Sequence, residues 1–297
     1  MSPFGSAGLE GLRRRIAAIE AGGAGRPAEG VGLRWMPLGL PALDQALGGG
    51  LAWESLHEVA GQAAGLEGTV TAFGLALAVR AARMRRRPVL VVQQDLAGLE
   101  GGRLYGPGLA EAGLPEGAVI LVQVRRAEEA LLVMEEGLKC TGLSVVMGEI
   151  ASRLPDALTA TRRLSLAAQA GGGLGLLLRP KPDPAPCAAQ TRWRVAPAPG
   201  RPDAWGGLGA AGLAADLVRN HSGPPGRWQF VLRDGCLAQE TEADRTEGWP
   251  AHDRTAHDQT GHDHPAAPLH APAGGTALSQ PVAGAAVHGP PRTRRAR

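Results

Sequence analysis

Apolar residues occur with two different spacings along the middle of the chain. Continuous apolar runs, typical of strands buried on both faces, stand at residues 88–93, 119–123, 143–149 and 175–179. Between and before them, apolar residues recur every three or four positions, which predicts helices at residues 69–84, 128–138 and 159–170. Strands that alternate with helices predict right-handed crossovers and a mostly parallel sheet covered on both faces.

The pattern changes at the Pro-rich residues 180–186 (PKPDPAP), which we expect to end the parallel part of the sheet. Residues 191–196 (TRWRVA) alternate between polar and apolar and predict an antiparallel strand. Residues 215–218 and 227–232 predict a final hairpin at the sheet edge. The expected fold class is therefore α/β with an antiparallel C-terminal edge.

Tryptophan and arginine alternate in the strand predicted at 191–196. Strand geometry places Trp193 on the face opposite Arg192 and Arg194, so we expect Trp193 in the core and both arginines in solvent. The alternative is that these side chains, together with Arg227 and Trp228, stack on or contact DNA.

Two flanking segments differ from this central part. Near the start, an apolar stripe predicts a short amphipathic helix, and its members are Leu9, Leu12, Ile16 and Ile19. Residues 20–32 are Gly-rich and predict a flexible tether, so the helix either packs on its own domain or docks a partner.

The C-terminal residues 240–297 are rich in Pro, Ala, Gly and His and have no apolar periodicity, which predicts disorder. The predicted organisation is a helix and tether (1–32), a core (33–239) and a disordered tail (240–297).

Composition narrows the function classes only slightly. The net charge of the 297-residue chain is +3, so no domain-wide basic field indicates nucleic-acid binding. The three cysteines form no C-x-x-C pair, and His-Asp pairs recur only in the tail, where a solvated segment is the favoured interpretation; we predict no metal site. No apolar run approaches the 18 residues of a membrane span, so we expect a cytoplasmic protein with no membrane partner.

Residues 36–74 carry the most informative motif. They predict a short helix at 41–47, a glycine turn, a strand at 55–59, a small-residue loop and a helix from about Thr69. Strand, Gly-rich loop and helix is the layout of a phosphate-binding loop, whose backbone N–H groups, helix N-terminus and lysine hold the phosphates. The candidate nucleotide-binding residues are Gly61, Gly65, Gly68 and Thr69. The lysine of the pattern G-x-x-x-x-G-K-[ST] is absent, and Glu67 and Gly68 stand in its place.

The other residues of a nucleoside triphosphatase are also incomplete. Such an enzyme needs a hydroxyl for Mg²⁺, an acidic residue at the end of a strand and a Glu that orients water. Thr69 fits the first role, Glu149 is a residue or two late for the second, and Asp95 is a substitute for the third. We therefore expect no catalytic residues and no bound ATP, and we favour the interpretation that the glycines only allow the chain to turn.

Several short motifs resemble known families. Residues 43–51 (LDQALGGGL) followed by 57–61 (HEVAG) resemble the RecA family. The chain resembles the ImuA family, which is RecA-like, more closely. The motifs on which this resemblance rests lie at residues 9–16, 56–59, 104–109, 134–140, 191–195, 219–220 and 226–228. The resemblance covers about residues 9–235 and depends on the series of motifs, since no single one is diagnostic.

This resemblance implies a RecA-like three-layer α/β/α fold and a non-catalytic accessory role in SOS-induced, error-prone translesion DNA synthesis. The implied partners are an ImuB-like relative of Y-family polymerases, an error-prone DnaE-type polymerase and RecA, with association with the nucleoid after damage. Separately, the basic residues 290–297 predict a weak contact with nucleic acid. The partner-binding candidates are the stripe residues Leu9, Leu12, Ile16 and Ile19. The alternative function is a RecA-like, DNA-dependent ATPase or recombination accessory that uses the degenerate loop.

Overall fold

The computed structural model describes residues 11, 14, 34–114, 117–200 and 207–239. Gly11 and Arg14 are helical. Several predicted features lie outside the described residues, namely Leu9, Leu12, Ile16, Ile19, the tether at 20–32 and the tail at 240–297.

Apart from these two residues, the part of the chain that the structure describes contains six helices and eleven strands. The helices are α1 (Pro41–Ala46), α2 (Glu67–Arg85), α3 (Asp95–Gly101), α4 (Gly106–Glu111), α5 (Ala127–Lys139) and α6 (Ala157–Gly171). The strands are β1 (Trp35–Met36), β2 (Leu51–Ala52), β3 (Ser55–Gly61), β4 (Val89–Gln94), β5 (Val119–Val124), β6 (Val145–Glu149), β7 (Leu174–Arg179), β8 (Thr191–Ala198), β9 (Gly212–Asn220), β10 (Gly226–Arg233) and β11 (Cys236–Ala238).

Strands β3 to β11 form one nine-stranded sheet in the order β11-β10-β9-β8-β3-β7-β6-β4-β5. The strands from β8 to β5 in this order pair in parallel, whereas β9, β10 and β11 continue the sheet with antiparallel pairing. Strands β1 and β2 form a separate antiparallel ribbon. The predicted α/β class, the mostly parallel sheet and the antiparallel C-terminal edge are therefore confirmed.

Side chains alternate between two hydrophobic clusters, one on each face of the sheet. In β4, Val91 belongs to the cluster that contains Phe73 of α2, whereas Val92 belongs to the cluster that contains Met134 of α5 and Leu164 of α6. Helix α2 covers one face and helices α5 and α6 cover the other, which makes three layers. The continuous apolar runs follow from this arrangement, because both faces of the central strands are buried.

We predicted that the parallel part of the sheet ends at residues 180–186. This prediction was wrong, because one more parallel strand follows that segment. Strand β8 pairs in parallel with β3, with Thr191 opposite His57, and antiparallel with β9. The Pro-rich segment is thus a crossover that passes β3. Alternating polarity indicates that one face of a strand is more buried than the other, and it says nothing about strand direction.

The expectation of solvated arginines in β8 was also wrong, although Trp193 is fully buried, as predicted. The Arg192 side chain is 15% exposed and forms an ion pair with Glu58 at 3.1 Å. Arg194 is half-buried and donates to the carbonyl of Asp183. The crossover segment after β7 packs over this face, since Arg192 also donates to Ala185 O.

Candidate functional site

The predicted loop lies where parallel strands end. Residues 62–66 connect the carboxyl end of β3 to the first turn of α2. The carboxyl ends of β4 and β6 lie at the same edge of the sheet, because these strands run parallel to β3 through β7. In open α/β sheets, ligands bind at this edge. The layout of a phosphate-binding loop is therefore present, with the helix beginning at Glu67, two residues before the predicted start.

Two of the three loop glycines are required by the backbone. A Cβ on Gly61 would lie 2.7 Å from the carbonyl oxygens of Ala63 and Pro180, so no larger residue fits without a shift. Gly65 has a φ of +82°, in the left-handed region that favours glycine. Gly68 has open space around its Cβ position and an ordinary helical backbone. The fold itself thus explains Gly61 and Gly65.

Glu67 stands at the helix start, where a phosphate-binding loop carries its lysine. Its Oε1 accepts a hydrogen bond of 3.3 Å from the backbone N–H of Gly65. The carboxylate therefore turns back into the loop and occupies one of its backbone N–H groups. It also carries a negative charge at the N-terminal end of α2, which the helix dipole favours. The anion that contacts this loop is thus a carboxylate of the chain itself, that of Glu67.

Behind Glu67 lies a hydrogen-bonded group of buried side chains. Glu149, at the end of β6, is 2% exposed. Its Oε1 lies 2.7 Å from Thr71 Oγ1, and its Oε2 accepts a 2.8 Å hydrogen bond from Gln93 Nε2. Gln93 Nε2 also donates to Gly102 O, while the buried Gln93 Oε1 has no hydrogen-bond partner. Two carboxylates, Glu67 and Glu149, therefore stand close to the loop, and both oppose the binding of phosphate.

The remaining sequence candidates do not join this group. Thr69 is half-buried and forms no side-chain hydrogen bond with the described residues; Thr71, two positions later, is the threonine that meets Glu149. Asp95 begins α3 and makes no side-chain hydrogen bond within the described part of the chain. The sequence analysis missed Thr71 and Gln93, although Thr71 lies one helical turn after Glu67 and Gln93 is buried near the end of a strand.

One lysine does reach the neighbourhood of the loop from elsewhere. Lys181, two residues after β7, forms an ion pair with Glu100 of α3 at 2.8 Å. The hydrogen bond to Glu100 raises the pKa of Lys181, and the charge of Glu67 adds to the effect. This exposed ammonium is paired with its own carboxylate, and it comes from the segment after β7 and not from the helix start, where the motif places its lysine.

No group of three or more His, Cys, Asp or Glu side chains among the described residues is placed to hold a metal ion. No helix in the part that the structure describes is both long and apolar enough to cross a membrane.

The fold and the site define a class: a three-layer α/β protein with the layout of a phosphate-binding loop but with glutamate where the lysine is expected. No protein-family model matches the sequence. Over 208 residues the chain is 34% identical to Protein ImuA of Caulobacter vibrioides strain NA1000 / CB15N, an alignment that covers 65% of this chain and 81% of the relative. Protein ImuA of strain ATCC 19089 / CIP 103742 / CB 15 gives the same values. The chain therefore belongs to the ImuA family.

Proposed function

We propose that this protein is a non-catalytic, RecA-like accessory protein in SOS-induced, error-prone translesion DNA synthesis. Membership of the ImuA family supports a role in damage-induced mutagenesis. The proposed partners are an ImuB-like relative of Y-family polymerases and an error-prone DnaE-type polymerase, with RecA as a further contact and only weak DNA binding. The proposed location is the cytoplasm, with recruitment to the nucleoid after DNA damage.

The proposed absence of catalysis rests mainly on Glu67, because its carboxylate accepts a hydrogen bond from Gly65 N–H and so leaves one fewer loop amide for a phosphate. Glu149, which is hydrogen-bonded to Thr71 and Gln93, adds a second negative charge nearby. A triphosphate would have to displace one carboxylate and approach another without a lysine to offset its charge.

Binding and hydrolysis of ATP test this part of the proposal directly. We expect the purified full chain to bind no fluorescent ATP analogue and to show no ATP hydrolysis, with or without single-stranded DNA. The alternative, a DNA-dependent ATPase with a degenerate loop, predicts turnover that is lost in Thr69→Ala. Such turnover, absent from a mock preparation, would refute the non-catalytic function.

Partner docking is assigned to the predicted stripe near the start of the chain. Introducing two glutamates into the stripe, as Leu12→Glu with Ile16→Glu, is expected to abolish co-purification of the ImuB-like partner from damage-treated cells. The matched control places the same charges away from the stripe on the predicted helix, as Ala17→Glu with Ala18→Glu. Equal recovery of the partner with both variants would show that the stripe is not the docking surface.

A further inference from the structure

A small cavity lies between helix α6 and the crossover that joins β7 to β8, on the face of the sheet opposite α2. Its volume is about 10 Å³, which is room for one water-sized group. Its lining combines apolar and charged side chains, among them Leu154, Leu177, Glu58, Arg179, Asp183 and Arg192. The cavity therefore fits a monatomic ion or one water molecule, and the surrounding charges decide between the two.

Both carboxylates of the cavity lining are already engaged. Glu58 is 2% exposed, and its Oε2 accepts a 3.1 Å hydrogen bond from Arg192 Nε. The Oδ2 of Asp183 accepts from Arg179 Nη2 at 3.1 Å, and its Oδ1 accepts from the backbone N–H of Ala185 at 2.9 Å. Each carboxylate thus has its own arginine, and any further donor in this place needs another acceptor.

Two buried guanidinium donors have no such acceptor. Arg179 is 4% exposed and lines the cavity, and its Nε has no hydrogen-bond partner within the described part of the chain. The same holds for Nη1 of Arg194, whose Nη2 donates to the carbonyl of Asp183 at 3.3 Å. Both arginines therefore meet at Asp183. A buried N–H group without an acceptor destabilises a fold, so we expect a ligand that accepts hydrogen bonds in this place.

The described side chains around this cavity carry an excess of positive charge. The guanidinium groups of Arg179, Arg192 and Arg194 face the carboxylates of Glu58 and Asp183, so one positive charge has no carboxylate to balance it. Burial lowers the pKa of Arg194, and repulsion from Arg192 adds to this shift. All three groups stay charged near neutral pH because the ordinary pKa of arginine lies above about 12. A water molecule would accept from the free donors but leave this charge in place, whereas an anion would accept and also balance the charge.

The size and the apolar part of the cavity select the anion. Phosphate and organic carboxylates exceed the room of one water-sized group. Leu154 and Leu177 offer no hydrogen bonds, which disfavours a strongly hydrated anion such as fluoride. We propose that the cavity binds one chloride ion, which accepts a hydrogen bond from Arg179 Nε and is attracted by the charge of Arg194. The ion fastens the crossover to β7 and β8, and this inference does not depend on the proposed function.

Urea unfolding of the full-length chain at constant ionic strength tests this proposal. Raising chloride from about 1 to about 300 mM in exchange for gluconate should lower the unfolding equilibrium constant at least about tenfold, as expected for a ligand that binds only the folded state with a Kd of about 30 mM. Arg194→Met, which removes the unbalanced charge, should reduce this change to less than about twofold. The matched control is Arg227→Met on β10, because the Arg227 side chain is 80% exposed in its ion pair with Asp216, and this variant should keep the full chloride dependence. An equal chloride dependence in all three proteins, or none in the wild type, would overturn the proposal.

Bromide in place of chloride locates the ion in the wild type, so this second test does not require any variant to fold. Crystals of the full-length chain soaked in sodium bromide should show an anomalous peak in the cavity, in contact with Arg179 Nε. In the unfolding measurement, bromide should replace chloride, whereas the strongly hydrated fluoride should not. A cavity that holds only a water molecule, without an anomalous signal, would overturn the proposal, and so would equal effects of fluoride and chloride.

Discussion

The clearest prediction about the stability of this protein concerns His57. The imidazole is fully buried in β3. Its Nε2 lies 2.9 Å from Ala52 O, which only accepts, so Nε2 carries the proton. Nδ1, 2.7 Å from Thr191 Oγ1, then accepts from that hydroxyl, which in turn accepts from Trp193 Nε1. The neutral ring thus ties β2, β3 and β8 together, whereas protonation of Nδ1 would reverse its hydrogen bond with Thr191 and leave the Thr191 hydroxyl proton without this acceptor.

Burial lowers the pKa of His57 from 6.5 to about 4, and the hydrogen bond to Ala52 opposes this shift only in part. Between these two pH values the unfolded chain binds the proton and the folded chain does not. The stabilisation is therefore complete above about pH 6.5 and is lost as the pH falls toward 4. The full displacement corresponds to about 3.4 kcal/mol, and about 2 kcal/mol of it is lost between pH 7.5 and pH 5.

Urea unfolding at about pH 7.5 and about pH 5 measures this effect as a difference in the free energy of unfolding. His57→Gln removes the titrating group, so its loss of stability between the two pH values should be about 2 kcal/mol smaller than that of the wild type. His221→Gln, which removes an exposed imidazole, is the matched control and should behave as the wild type. The same pH dependence in His57→Gln and the wild type would refute the assignment of a buried neutral histidine.

Two further pairs of substitutions test the site and its support. Arg192→Ala should destabilise the protein by about 1.5–3 kcal/mol because it removes the ion pair of the buried Glu58, whereas Arg227→Ala, in an exposed ion pair, should cost less than about 1 kcal/mol. Gly61→Ala should cost about 1–3 kcal/mol through close contacts with carbonyl oxygens, whereas Gly68→Ala, in open helix, should stabilise by about 0.5–1 kcal/mol. Urea unfolding of the four variants measures both contrasts, and similar values within either pair would contradict the described packing.

The layered architecture was predictable because it follows from burial on two faces. Val89 to Val92 form one uninterrupted apolar run, and the structure divides them alternately between the α2 cluster and the α5–α6 cluster. Only a strand with helices on both faces needs such a run. Strand direction has no comparable signal, which is why the parallel pairing of β8 with β3 was missed.

The arginines around the end of α2 show a second limit. Cations at the C-terminal end of a helix are favoured by the helix dipole, which is a local effect. In the structure three of these side chains have distant carbonyl acceptors: Arg83 donates to Asp234 O, Arg85 to Gly172 O while lying over the Trp53 ring, and Arg87 to Thr141 O. These partners come from elements far apart in sequence, so no local pattern identifies them.

The same limit applies at the candidate site. The loop layout and the missing lysine could be predicted, because both are contiguous in sequence. The contacts of Thr71 and Gln93 with Glu149, and the approach of Lys181 to Glu100, could not, because they depend on the order of strands in the sheet.

The loop between β3 and α2 contains residues that the fold requires and a position that only phosphate binding would require to be lysine. Gly61 is fixed by the close approach of Pro180 O, and Gly65 by its left-handed backbone, and neither requirement involves a ligand. A glycine pattern of this kind can therefore persist in a chain that binds no nucleotide. The residue at the helix start is Glu67, whose carboxylate accepts a hydrogen bond from the loop amide itself, so in this chain the charge at that position, and not the glycines, argues against phosphate binding.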